Sequence, residues 1–251
     1  MGLIGIHCPY KRKDISMQDC LECARTQQNP CGYPAEVVEG IKFFNESENR
    51  KDMVSATAIL GCMRSIYLGQ TNDYYAPLDS LYWSFRGQLG HLLCEKFKQG
   101  GAITEKRFRR TVGKIKISGK MDVIYPDLKL IRDFKTTKAV PRKDTPYENH
   151  ILQTNIYKWI LAKPDNEEPI EIDKLKVTYF DMKETKTVDC PLMEEAEIEK
   201  KVLANGAILQ NAFDTGEIPE VKEDYPTDWQ CNGYCPVAGM CSKIWKAGQK
   251  V

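Results

Sequence analysis

Gly119-Lys-Met-Asp122-Val-Ile-Tyr-Pro126-Asp-Leu-Lys-Leu-Ile-Arg-Asp133-Phe-Lys135-Thr-Thr137 places two runs of alternating apolar and polar residues on either side of Pro126-Asp127-Leu128. Period-two alternation about a proline-led turn predicts an antiparallel hairpin with strands over 116–125 and 129–138. The same period begins at Ile103. With turns expected at Gly113, Gly119 and Pro126-Asp127, it predicts a three-stranded antiparallel meander over 103–138. Folding the hairpin brings Asp122 near Asp133, while Asp133 and Lys135, two apart, share one strand face. Two neighbouring carboxylates repel unless a proton or a cation sits with them, and hard oxygen donors favour magnesium or manganese. With an ammonium alongside, such a pair suits phosphodiester hydrolysis. Taken alone, Asp-x-Lys on a hairpin is far more often simply a solvated strand face.

Outward from the hairpin, 148–161 and 193–213 have helical spacing, the second closing near Gly216, and 175–182 and 185–190 read as strands. Ser55 is placed to cap a helix running through Ala58, Leu60, Cys62 and Ile66, and a further helix is expected near 87–97. The segment 229–245 reads as a loop carrying three cysteines. No internal repeat or P-loop is present, since Gly113-Lys114 and Gly119-Lys120 lack the flanking pattern and are expected between strands. The 251 residues, 42% hydrophobic and 28% charged, exclude disordered and low-complexity classes. No apolar run approaches a membrane span and Met1–Ile6 is too short for a signal-peptide core, so a cytoplasmic protein without membrane contact is expected.

Around the hairpin the chemistry-bearing residues come in a fixed series: Gly87-x-x-x-His91, Gly119-x-x-Asp122, Asp133-Phe-Lys135-Thr-Thr, and Gln153-x-x-x-Tyr157, whose two ends share a helical face. This series resembles the RecB-like branch of the PD-(D/E)XK nuclease superfamily. The resemblance implies a mixed α/β fold of restriction-endonuclease type, with a central mixed sheet flanked by helices. It implies that His91, Asp122 and Asp133 hold a magnesium or manganese ion, that Lys135 is catalytic, and that Gln153 and Tyr157 help to hold the lysine and the DNA. Glu105 and Glu95 could add carboxylates, but surface ion pairs are the simpler expectation for both.

Ten cysteines in a chain read as cytoplasmic point to metal ligation before disulfides. In the tail, Cys231, Cys235 and Cys241 need a fourth partner to close a site. Four thiolates suit either zinc or a [4Fe-4S] cluster, and spacing leaves both open. The iron-sulfur members of the nuclease branch place one cysteine ahead of the nuclease motifs and three at the end. Cys62-x-Arg64-x-x-Tyr67 resembles that first ligand motif, so the resemblance implies a [4Fe-4S] cluster on Cys62, Cys231, Cys235 and Cys241. The first gap of the tail departs from the family: it has three residues where two are usual.

Outside the resemblance, Cys8, Cys20, Cys23 and Cys31 suit tetrahedral zinc, with His7 able to replace Cys8, and a second cluster or free thiols as the other readings. The domain reading is therefore a cysteine-rich zinc module over 1–35 and a nuclease domain over 53–251. Cys94 and Cys190 are expected in the core.

Lys plus Arg number 36 against 35 for Asp plus Glu, so the net charge of +1 says nothing of a polyanion. Local clustering does, because Lys106, Arg107, Arg109, Arg110, Lys114, Lys116, Lys120, Lys129, Arg132, Lys138, Arg142 and Lys143 surround the hairpin. A solvated strand face is the competing explanation. The aromatics Tyr74, Tyr75, Tyr82, Trp83 and Phe85 could stack unpaired bases, though core packing is commoner. The expectation is a metal-dependent DNA exonuclease on single strands or free ends. The different-class alternative is a non-catalytic nucleic-acid-binding or scaffold protein. The branch includes the CRISPR-associated adaptation nuclease and AddAB-type repair nucleases. It thus implies work in antiviral defence or DNA repair, with a helicase or CRISPR adaptation protein as partner.

Overall fold

The structure, a computed structural model, describes residues 2–26, 29–45, 53–96, 100–221, 231 and 235–248; the side chains of Cys94 and Glu95, and Trp229, lie outside that description. The chain divides into two compact units, one from residues 1–49, 62–86 and 216–251 and the other from 50–61 and 87–215.

The second unit is built around β6 (Ile115–Tyr125), which pairs antiparallel along one edge with β5 (Ile103–Val112). Its other edge is divided. β3 (Val54–Ser55) takes Ile117 and Ser118 in parallel, and β7 (Leu130–Thr136) takes Val123 to Tyr125 antiparallel, so residues 119–122 lie between two partners. β8 (Lys174–Phe180) runs parallel to β7 along its whole length, and β9 (Thr185–Cys190) adds on antiparallel. This is the expected mixed sheet, and the three-strand meander is β5-β6-β7. A parallel β7–β8 pair requires a crossover. α6 (Glu148–Ala162) supplies it and packs on β5 to β8, while α7 (Glu195–Thr215) packs on α6 and β6. Phe108, Ile117, Met121, Ile131, Ile156, Ile160 and Val177 are buried in the resulting core. Cys190 is buried too, its Sγ 3.1 Å from Thr154 Oγ1.

Gly119 is not a turn. β6 runs straight through it, because its missing side chain admits the Tyr157 ring: a Cβ there would lie 2.8 Å from Tyr157 Cδ1. The helix begun at Ser55 also differs from expectation. Ser55 Oγ accepts the Ala58 N–H (3.1 Å), but α3 spans only Ala56–Ile59; after Leu60-Gly61, Cys62 stands at the N-cap of a separate helix, α4 (Met63–Thr71).

In the first unit β1 (Leu3–Cys8) is the central strand, antiparallel to β2 (Lys13–Ser16) and parallel to β4 (Tyr74–Pro77). α1 (Met17–Ala24) is capped by Ser16, whose Oγ accepts the Asp19 N–H (3.0 Å). With α2 (Ala35–Asn45), these elements bury Ile6, Ile15, Leu21, Val38 and Ile41 with Ala76, Leu78 and Leu81. The first 35 residues thus share one sheet and one core with residues 74–81. Tyr82 and Phe85 pack against that core, as the commoner use of such aromatics would have it. α5 (Leu78–Lys96) begins at Leu78, well before Gly87. The tail is partly helical: α8 (Ala238–Gly248) carries Cys241 and packs against α4, correcting the loop expected there. Among the described residues no helix is long and apolar enough to cross a membrane.

Candidate active site

The divided edge of β6 places the site. Between Thr104↔Val123 and Lys106↔Met121 the β5–β6 ladder skips the pair Glu105 and Asp122, and the β6–β7 ladder stops at Val123↔Arg132, one position short of Asp122 and Asp133. Strand pairing therefore loosens on both sides of Asp122. Its side chain takes over where the ladder ends, with Oδ2 accepting the Phe134 N–H at 2.7 Å. Glu105 accommodates the break with φ +51, a left-handed conformation that costs a non-glycine residue about 1–2 kcal/mol.

On the other side of Asp122, Oδ1 lies 3.1 Å from His91 Nδ1, which is also 3.4 Å from Glu105 Oε1. Among the described residues this is the one group of three potential ligand atoms within 4.8 Å of one another. His91 reaches it from α5, whose Gly90 lets the helix approach the Phe180 ring; a Cβ there would lie 2.7 Å from Phe180 Cζ. The Asp122 carboxylate beside it, then that of Glu105, pushes the His91 pKa up to about 10 against the opposing effect of burial. Burial opposes ionisation of Glu105 as well, yet His91 and Lys120 hold its carboxyl below the ordinary value. Its side chain is only 6% exposed, so Glu105 is no surface ion pair. Sequence spacing undervalued it because a strand-edge glutamate carries no sign of its burial.

Asp133 is buried, its Oδ2 2.8 Å from Lys135 Nζ and its Oδ1 without a hydrogen bond. Burial pushes its carboxyl above the usual range, with Asp122 adding to the effect and Lys135 opposing it. From α6, Gln153 Nε2 donates to Tyr157 Oη at 2.7 Å, both side chains buried. Burial and the Asp133 charge raise the Tyr157 phenol, so it stays protonated. His91, Asp122, Asp133, Lys135, Gln153 and Tyr157 all lie in this unit and, Gln153 aside, each is coupled to another by a close contact or by its charge; Gln153 joins through Tyr157.

Two neighbours escaped the sequence analysis. His150 Nδ1 lies 2.8 Å from Tyr179 Oη, and Tyr179 stands opposite Lys135 in the parallel register. Burial and Lys135 hold His150 down to about 4, so it is neutral. Its place one turn before Gln153 on α6 was a legible signal; the pairing of Tyr179 with Lys135 was not, because it depends on how β8 joins the sheet.

Several basic residues are already engaged. Arg110 is buried, with its guanidinium 3.7 Å from the centre of the Trp159 ring, and Lys106 and Lys129 pair with Glu167 and Glu171 at 2.8 and 2.7 Å. They do not add free positive charge, which narrows the basic cluster expected around the hairpin.

In the first unit, the Cys62-x-Arg64-x-x-Tyr67 motif holds down the chain leading to the tail. Arg64 Nη1 donates to Pro219 O (2.9 Å) and Tyr67 Oη to Gly216 O (3.1 Å), while Ser65 Oγ lies 3.2 Å from Cys235 Sγ. Cys8 and Cys20 are buried and Cys23 and Cys31 partly so. Burial, then Cys31, Cys8 and Cys23, raise the Cys20 thiol to about 11, and the Lys11 N–H points at Cys8 Sγ (3.4 Å). Neither cysteine quartet draws three sulfurs together as tightly as the His91 group.

No curated protein matches the chain. A solved structure, SSO0001, has 18% identity with it and a TM-score of 0.55, covering 82% of this chain and 93% of its own; it supports the fold. A second, a candidate exonuclease from Eubacterium rectale, has 13% identity over 82% of this chain and 84% of its own, at a TM-score of 0.36. The model of the PD-(D/E)XK nuclease superfamily matches residues 79–242, a span that takes in His91, the loosened Asp122 strand, the Asp133–Lys135 pair and the Gln153–Tyr157 helix. The chain belongs to the PD-(D/E)XK nuclease superfamily.

Proposed function

We propose that the protein is a magnesium- or manganese-dependent deoxyribonuclease that works as an exonuclease on single strands or free DNA ends. The observation that carries this reading is Asp122, with one oxygen facing His91 and the other held by the Phe134 N–H, beside a buried Asp133 whose Oδ1 has no hydrogen bond. An imidazole and carboxylates form a donor set suited to such an ion. When bound, the ion would supply a polarised phosphate oxygen and a more acidic water. His91, Asp122 and Asp133 would hold it. Lys135, tethered to Asp133 as an ammonium, positions the attacking water. Gln153 fixes the Tyr157 hydroxyl, and the two would help to hold the lysine and the DNA. End-labelled single- and double-stranded DNA, incubated with magnesium, manganese or EDTA, tests the reading. Metal-dependent shortening from an end supports it, and full activity in Asp133→Ala overturns it.

The cysteines extend the proposal. A [4Fe-4S] cluster on Cys62, Cys231, Cys235 and Cys241 would join α4 to the tail; the Ser65–Cys235 contact, three residues after Cys62, supports it. Zinc on Cys8, Cys20, Cys23 and Cys31 would join α1 to β1, and the influence of Cys31, Cys8 and Cys23 on the buried Cys20 thiol supports that. The sequence reading adds a cytoplasmic setting, and the resemblance adds a helicase or CRISPR adaptation protein as partner.

A further inference from the structure

Glu105 belongs to none of the motifs that mark the nuclease series, yet it is built into the site more expensively than a strand-edge glutamate requires. Its backbone is left-handed, it drops out of the ladder opposite Asp122, and its side chain is 94% enclosed. Oε1 is buried with no hydrogen bond, 3.4 Å from His91 Nδ1. A carboxylate so placed is costly unless a cation compensates it. The cation at its other oxygen is Lys120, from the neighbouring strand, whose side chain is 45% exposed.

Two of the spacings are those of adjacent donors on one ion. Donors bound at about 2.1 Å around an octahedral ion sit roughly 3 Å apart when adjacent. His91 Nδ1 lies 3.1 Å from Asp122 Oδ1 and 3.4 Å from Glu105 Oε1, two adjacent edges that share the imidazole nitrogen. We infer that Glu105 is a further protein ligand of the divalent ion, and that Lys120 is a resident counter-cation which the ion displaces from it.

Lys120 lies on β6 two residues before Asp122, and its exposed side chain can leave Glu105 for solvent at small cost. With Glu105 included the donor set has one nitrogen and more than one carboxylate, which favours manganese over magnesium. The inference rests on the divalent-ion reading above, so the test separates the two.

Manganese binding to the full chain is measured without DNA by the loss of the free-ion EPR signal, for the wild type and for Glu105→Gln, Lys120→Met and Asp122→Asn. Glu105→Gln should weaken binding about ten- to hundredfold. Lys120→Met should tighten it several-fold, an effect that a purely structural ion pair would not produce. Unchanged binding in Glu105→Gln, or unchanged or weakened binding in Lys120→Met, overturns this inference while leaving the divalent-ion reading in place. Unchanged binding in Asp122→Asn overturns the divalent-ion reading itself. Circular dichroism checks the fold, and if Glu105→Gln fails to fold, Lys120→Met decides.

Discussion

The carboxylate site and the cysteine quartets differ in how their donors are brought together. Asp122, Asp133 and Glu105 stand on adjacent strands, and His91 Nδ1 lies 3.1 Å from Asp122 and 3.4 Å from Glu105. The cysteines stand on a strand end, two helices and loops, and their sulfurs are less tightly drawn in. The ladder is open at Asp122 itself, but the pairs that flank it, Thr104–Val123 and Lys106–Met121 towards β5 and Val123–Arg132 towards β7, hold the strands about 5 Å apart, so the sheet frames these side chains. Thiols on helices and loops have no such frame, and a metal of the kind proposed for them would have to contribute to ordering them.

The sharpest break in this comparison is chemical. Asp122→Ala and Asp133→Ala should each lower cleavage at least about 10²- to 10³-fold, measured on end-labelled DNA in manganese, with the circular dichroism spectrum unchanged. Cys62→Ser or Cys235→Ser should do the reverse: lose the brown colour of anaerobic protein and lower the melting temperature by roughly 5–10 °C, while cleavage by the remaining folded protein stays within a few-fold. Iron-free wild-type protein with equal stability would remove the contrast.

Gly119→Ala tests the frame itself. A Cβ 2.8 Å from the Tyr157 ring should cost about 1–3 kcal/mol in urea unfolding and reduce cleavage by displacing Tyr157. At the other cysteine group, Cys23→Ser should reduce bound zinc, measured by mass spectrometry of the metal content, and leave cleavage at saturating DNA intact. Deleting residues 1–35 is a poorer probe, since it removes the central strand β1 along with the thiols.

The smallest effect expected is electrostatic. His91 has a pKa raised to about 10, chiefly by Asp122, so in EDTA its ion pairs stabilise the fold fully below the ordinary histidine value of about 6.5. That contribution fades as the pH climbs towards 10. Melting temperatures in EDTA should fall over this window for the wild type and fall less for His91→Gln; parallel curves would show that the pairs add nothing.

Residue pattern was enough for most local elements of the second unit, and the resemblance it carries was enough for the superfamily. Period-two alternation marked β5 to β7 and helical spacing marked α6 and α7, because these patterns record which face of each element is buried; the ordered His91, Asp122, Asp133-x-Lys135 and Gln153-x-x-x-Tyr157 series marked candidate site residues only through the family resemblance. Gly119 misled, since the same residue serves a turn or a close approach, and only the Tyr157 ring distinguishes them. Tertiary structure alone decided that β3 and β7 divide one edge of β6, that Glu105 turns inward, that Tyr179 faces Lys135, and that Arg110 is spent on Trp159. Each of these depends on contacts between segments distant in sequence, which local composition does not encode.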